Sequence, residues 1–78
     1  MNGYVYILMT RDLDLNKSNV MCAYRKKESA IEALEKRVEN LNTDYYKVEK
    51  VNYLYYIIRE KEYNEPVYVY YVTGSRVM

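Results

Sequence analysis

The chain has 78 residues with a formal net charge of +1, and 50% of its residues are hydrophobic. This length fits one small domain with a thin core, and the low net charge gives no general attraction to nucleic acid or acidic membranes. One cysteine and no histidine exclude an internal disulfide, His-based zinc sites and most hydrolase triads. No apolar run reaches the roughly 18 residues that a membrane helix needs, and residues 1–11 do not resemble a signal peptide. We therefore expect a cytoplasmic protein that binds no cofactor or metal and is not an enzyme.

The N-terminal third of the chain is predicted to form a β-hairpin. Residues 3–11 alternate as a strand, residues 12–19 are polar and turn-rich, and residues 20–24 form a shorter second strand. Two adjacent strands joined by a polar turn favour antiparallel pairing.

One helix is predicted over residues 28–41. Ala30, Ile31, Leu34, Val38 and Leu41 recur at helical spacing and form an apolar stripe over three turns. A single stripe packs against a single surface, so we expect the helix to lie on one face of a sheet.

The C-terminal half has strand patterning in residues 45–51, 53–59 and 67–73. Pro66 stands at a strand start, where its missing N–H is harmless. Residues 74–78 are expected to form a loose tail. The predicted fold is one α+β domain over residues 1–78, an antiparallel sheet of four to five strands with one helix packed on one face. The element order is β-β-α-β-β with room for a fifth strand, and the strand order and register after residue 45 stay open.

Tyrosine is the unusual feature of the composition, since there are 12 Tyr residues and no Phe or Trp. The Tyr side chain combines a packing ring with a hydroxyl that stays in water, which suits contact surfaces. One helix cannot cover both faces of such a sheet, so one face must stay open and should be buried against another chain, most simply in a homodimer. The residues expected on this open face are Tyr4, Tyr6, Tyr68 and Tyr70. The residues expected beneath the helix are Val5, Ile7, Val67 and Val69.

The basic segment Arg25, Lys26 and Lys27 stands at the start of the predicted helix, where Ser, Asp or Asn is the usual cap. The helix dipole favours anions at this end, so three cations there are mildly unfavourable. Free helix N–H groups beside a basic segment could bind a phosphate or a carboxylate, with Arg11 or Lys17 expected nearby. The alternative is a solvated basic turn.

Three other features favour structural roles over catalysis or metal binding. Residues 12–16 have the spacing that opens a calcium loop, but Lys17 and Ala23 occupy the positions that need Gly and Glu, so a solvated hairpin loop is expected. Cys22 has no His to activate it and is predicted to be a buried structural cysteine. The carboxylates of residues 60–65 are expected at an exposed hairpin tip without a surrounding pocket.

Three short segments carry a resemblance to a known group of proteins: YVYIL at residues 4–8, AYRKKESA at residues 23–30 and YKVE at residues 46–49. Together with the β-β-α-β order, they resemble small phage and prophage accessory proteins of the anti-defence type. The basic segment departs from that pattern, in which a Ser cap is usual. The resemblance implies a protein that acts by binding, without catalytic residues.

The functional expectation is a non-enzymatic protein that inhibits a host or bacterial-defence protein by direct contact, and that also binds itself. One alternative is a sponge that sequesters a small nucleotide signal between subunits, with Tyr rings on the base and the basic segment on the phosphate. Another is a single-stranded nucleic-acid-binding module, because aromatic side chains on a sheet can stack on bases. If the protein is phage-encoded, its location would be the cytoplasm of the host.

Overall fold

The computed structural model describes residues 3–77, which form five strands and one helix. The elements are β1 (Gly3–Asp12), β2 (Lys17–Tyr24), α1 (Lys27–Glu39), β3 (Tyr46–Asn52), β4 (Tyr55–Glu60) and β5 (Pro66–Val77). All strand pairs are antiparallel, and the sheet order is β2-β1-β5-β4-β3. The predicted α+β class, with one helix on an antiparallel sheet, is confirmed.

Asx turns lie between the strands of two hairpins, β1–β2 and β3–β4. The Asp12 carboxylate accepts hydrogen bonds from the amides of Asp14 (3.0 Å) and Leu15 (3.1 Å) at the β1–β2 turn. The Asn52 side chain accepts one from the amide of Leu54 (2.8 Å) between β3 and β4. Such side chains compete with the strand ladder for backbone donors, and therefore end a strand at a defined residue.

Strand β5 lies in the centre of the sheet, between the β1–β2 hairpin and β4. It pairs with β1 along its length, from Tyr68 opposite Asp12 to Val77 opposite Gly3. The prediction of a loose tail is therefore wrong for residues 74–77, while Met78 lies outside the described residues. The apolar pattern stops at Thr73, but β1 is long enough to supply backbone partners beyond it.

Helix α1 connects the two edge strands, β2 and β3, and so must cross one face of the sheet. Ala30 and Leu34 are fully buried and pack on the face that contains Leu8 and Val72. The predicted apolar stripe is thus confirmed at its centre.

The face assignment made from the sequence is wrong. Tyr6 and Tyr70 pack against the core beneath α1, whereas the alternating residues of β1 and β5 point to the opposite face. The residues expected under the helix, Val5, Ile7, Val67 and Val69, lie on that opposite face. Both sides of these strands are apolar, so alternation separates two faces but does not say which one the helix covers.

Candidate protein-interaction face

The face of the sheet opposite α1 is called the open face. Within residues 3–77, α1 is the only helix, and the molecule is 17 Å in its shortest dimension, which fits one helix layer on one sheet layer. Eight apolar side chains alternate onto the open face from the three central strands: Val5, Ile7, Met9, Tyr55, Ile57, Val67, Val69 and Tyr71.

The centre of the open face is packed by its own side chains. Val69 is only 5% exposed, and its direct strand partners are Arg11 and Ile57. Beside it, the rings of Tyr55 and Tyr71 lie across the β4–β5 ladder with centroids 6.0 Å apart, tilted by 34°. Tyr55 itself is 38% exposed. Of the eight side chains, Tyr55 is exposed, Val69 is buried and the other six are partly exposed.

Charged side chains at the margin of this face are engaged within the chain. Arg59 Nε donates to Glu49 Oε1 (3.1 Å), and Arg59 Nη1 donates to the carbonyl oxygen of Asn64 (3.1 Å). Arg11 donates through Nη2 to the side-chain oxygen of Asn16. These contacts leave two of the nearby cations less free to pair with a polyanion.

The four tyrosines predicted to form the contact face lie on the helix side of the sheet. Tyr6 and Tyr70 are partly buried against the core, and Tyr4 is 53% exposed and stacks on Tyr6 at 6.3 Å. The ring of Tyr68 makes an edge contact with Tyr46 at 6.1 Å. Tyr4 and Tyr6 thus lie near the start of β1, whereas Tyr68 and Tyr70 lie opposite its end, so the fold does not gather the four into one surface.

Two of these tyrosines have a raised pKa. Burial raises the pKa of Tyr70, the nearby Tyr46 adds to the effect, and Arg37 opposes it. The electrostatic effect of Tyr46 is the main cause that raises the pKa of Tyr68, followed by desolvation. Both hydroxyls therefore favour the neutral form in the folded protein, as expected of tyrosines that serve as packing residues.

The basic segment is exposed at the start of α1. Lys26 is the N-cap residue and has the extended backbone of a cap, but its side chain makes no cap hydrogen bond. Arg11 and Lys17 lie at the opposite end of the β1–β2 hairpin, because Tyr24 pairs with Tyr6 whereas Lys17 pairs with Asp12. The expectation that either cation supports the basic segment is wrong.

A half-open hollow of about 520 Å³ lies beside the charged β4–β5 turn, so the expectation that no pocket surrounds it is also wrong. The hollow lies where the β1–β2 turn, the start of β3 and the end of β4 meet, and Tyr68 contributes to its wall. Its lining is Asp14, Asp44, Tyr45, Tyr46, Glu60, Lys61, Glu62, Val67 and Tyr68.

The structural roles predicted for Cys22 and for the loop that begins at Asp12 have different outcomes. Cys22 is exposed on edge strand β2, so the prediction that it is buried is wrong. A bulge in the β1–β2 pairing between Leu8 and Met9 changes the alternation of β2 there. Asp12 is used by the turn amides, and within residues 3–77 no group of His, Cys, Asp or Glu is arranged to hold a metal ion.

Sequence reasoning did not name Met9, Tyr55, Ile57 or Tyr71 as contact residues. The prediction that residues 3–11 alternate as a strand is confirmed, since Val5, Ile7 and Met9 share a face. What the sequence lacked was the register of β5 between β1 and β4, which brings Met9, Tyr71 and Tyr55 into one row.

Residues 3–77 form an α+β domain with an apolar side that α1 does not cover. Comparison with known proteins found no matching protein family, no matching characterised protein and no matching solved structure. The resemblance to phage accessory proteins therefore stays a hypothesis. In the part of the chain that the structure describes, no helix is long and apolar enough to cross a membrane.

Proposed function

We propose that this chain is a non-enzymatic binding protein that acts by direct contact with other protein chains. The observation that carries the proposal is the open face, where eight apolar side chains from three strands lie on the side of the sheet without a helix. Partly exposed apolar side chains clustered on an uncovered sheet face are typical of an interaction site. Tyr55 and Tyr71 at its middle are of the residue type that most often anchors protein interfaces.

The partner classes proposed are a second copy of the chain and a host or bacterial-defence protein that the contact would inhibit. The second class comes from the resemblance to phage accessory proteins, and the corresponding location is the cytoplasm of the host cell. The open face supports contact with protein in general and does not depend on that resemblance.

Protein is favoured over single-stranded nucleic acid by the state of the charges. Nucleic-acid-binding sheets combine stacking rings with cations that are free to pair with phosphates. Here Arg59 bonds Glu49 and the Asn64 carbonyl, and Arg11 bonds Asn16. A face whose arginines are satisfied within the chain fits an apolar partner better than a polyanion.

The nucleotide-sponge alternative keeps one supporting placement. The basic segment directly follows Tyr24, which pairs with Tyr6, while Tyr6 stacks on Tyr4. Aromatic and basic side chains thus lie at the same end of the sheet on the helix side. Equilibrium dialysis against a mixture of mononucleotides and cyclic dinucleotides tests this alternative directly, and retention of none of them would reject it.

The proposed function is tested by capture of proteins from a bacterial lysate on three immobilised baits. These are the wild-type chain, Tyr55→Lys on the open face and, as a matched control, Tyr63→Lys in the β4–β5 turn, where Tyr63 is 68% exposed. A contact through the open face predicts proteins that are retained by the wild type and the control but lost with Tyr55→Lys. An identical set on all three baits would show that the open face is not the contact.

A further inference from the structure

We infer that the open face is occupied by a second copy of the chain, packed sheet on sheet about a twofold axis that runs parallel to the strands between β4 and β5. This inference rests on the proposed function, because it names one partner of the same face. Its argument comes from the area of the face and from the order of side chains in one row across the sheet.

The area of the face is close to what a stable dimer needs. The proposed axis brings four strands of each copy face to face, β1, β5, β4 and β3, and leaves edge strand β2 outside the contact. Four strands are about 19 Å wide, and the rows from Val5 to Val67 extend over about 27 Å, so the facing area is about 500 Å² in projection. Side-chain relief makes the accessible area larger than its projection, and a standard interface buries about 800 Å² per partner. The four facing strands therefore approach the area of a standard interface.

One row of the open face is complementary to itself. Arg11 of β1 pairs in register with Val69 of β5, Val69 with Ile57 of β4, and Ile57 with Glu49 of β3. Across the sheet this row reads cation, apolar, apolar, anion. Turned by a twofold axis between β4 and β5, the same row reads anion, apolar, apolar, cation. Each arginine then meets a glutamate of the other copy, and the partly exposed Ile57 lies over β5 at Val69, which is already buried within its own chain.

The local contacts of Glu49 are compatible with this arrangement. Arg59 bonds Glu49 through Oε1, so Oε2 is available to a second donor. Arg11 bonds Asn16 through Nη2, and its guanidinium has further N–H donors that can reach Glu49 of the other copy. A carboxylate can accept hydrogen bonds on both oxygens, and a charge-assisted contact at the margin of an apolar interface fixes its register. In the neighbouring row, the same axis places Tyr71 of one copy against Tyr55 of the other.

The geometry also gives the dimer a familiar architecture. Two antiparallel sheets that pack face to face form a sandwich with an interior about 10 Å thick. The resulting assembly would have eight facing strands, one β2 strand at each edge and one α1 helix on each outer side. A small chain with few fully buried side chains would gain a second core in this way.

The test is sedimentation equilibrium of the wild type, of Arg11→Glu, of Glu49→Arg and of the double exchange. We expect the wild type to sediment at twice 9.5 kDa, and each single exchange to raise the dimer dissociation constant by about tenfold or more, because like charges then meet. The double exchange should restore it to within about threefold of the wild-type value. Arg25→Glu, which reverses a charge at the start of α1, is the matched control and should leave dimerisation unchanged.

Four outcomes would overturn the inference. A wild-type chain that is still monomeric at about 100 μM would contradict the dimer. Single charge exchanges that leave the dimer dissociation constant unchanged would contradict the proposed position of the axis. Tyr55→Lys should also dissociate the dimer while circular dichroism shows the wild-type fold, and a dimer that survives this change uses another surface. Specific binding of a labelled single-stranded oligonucleotide that Tyr55→Lys abolishes would make nucleic acid the occupant. A monomer that still loses its lysate partners on Tyr55→Lys would contradict the dimer and leave the proposed function standing.

Discussion

Leu8 of β1 and Val72 of β5 are direct partners in the antiparallel ladder, and both are buried beneath α1, with 1% and 7% exposure. Because side chains alternate along a strand, their chain neighbours Ile7 and Thr73 point to the other side of the sheet. This single pair therefore decides which side of β1 and β5 is core and which is the open face.

Leu34→Ala is expected to lower the free energy of unfolding by about 2–5 kcal/mol, because Leu34 is fully buried at the centre of the helix stripe and its loss leaves a cavity. Chemical denaturation followed by circular dichroism measures the change. Glu35→Ala, at the next and exposed position of α1, is the control and should lie within about 0.5 kcal/mol of the wild type. An equally small effect of Leu34→Ala would mean that α1 does not pack as described.

Lys26→Asp is expected to stabilise the protein by about 0.5–2 kcal/mol. Lys26 is the N-cap residue of α1 and its side chain makes no cap hydrogen bond, whereas Asp can accept one from the first turn and interacts favourably with the helix dipole. Thermal melts at low and high salt separate the two contributions, since only the dipole effect is screened. Arg25→Asp changes the same charge one residue before the cap and should yield a smaller gain. Equal gains would argue against a cap effect.

Tyr70→Phe is expected to make the protein less sensitive to alkaline pH. Burial raises the pKa of Tyr70 above its usual 10.0. A group whose pKa is raised in the folded state contributes its full stabilisation at pH values below its pKa in the unfolded chain. That stabilisation is lost as the pH rises from the unfolded-state pKa to the folded-state pKa. The stability of the wild type should therefore fall more steeply than that of Tyr70→Phe above about pH 10. Urea denaturation at a series of pH values gives both curves, and parallel curves above that pH would contradict the prediction.

Arg59→Ala is expected to cost about 1 kcal/mol, because Arg59 holds both Glu49 on β3 and the Asn64 carbonyl in the β4–β5 turn. A double-mutant cycle with Glu49→Ala isolates the ion pair from the carbonyl contact. The pair is partly exposed, at 26% and 49%, so its coupling should be the smaller part and should weaken in salt. A coupling equal to the whole effect of Arg59→Ala would contradict a role for the Asn64 contact.

Local patterns in the sequence were sufficient for the secondary structure as far as residue 73, but not for the last part of β5. The alternation in β1, the helical spacing around Leu34 and the turn residues after Asp12 each act over a few neighbouring positions, and the structure confirms all three. Their physical basis is local as well, since strand alternation, helix periodicity and Asx turns need no distant partner.

The α+β class, the single helix on an antiparallel sheet and the surplus of tyrosine follow from the amino-acid pattern alone. Two features are seen only in the three-dimensional structure: the face of the sheet that α1 covers, and the path of β5 through the centre of the sheet to Val77. Both faces of β1 and β5 carry apolar side chains, so either could have formed the core. The choice depends on how α1 crosses from one edge strand to the other, and on the β5 register that sets Leu8 against Val72. Those are long-range pairings, which a pattern of neighbouring residues does not encode.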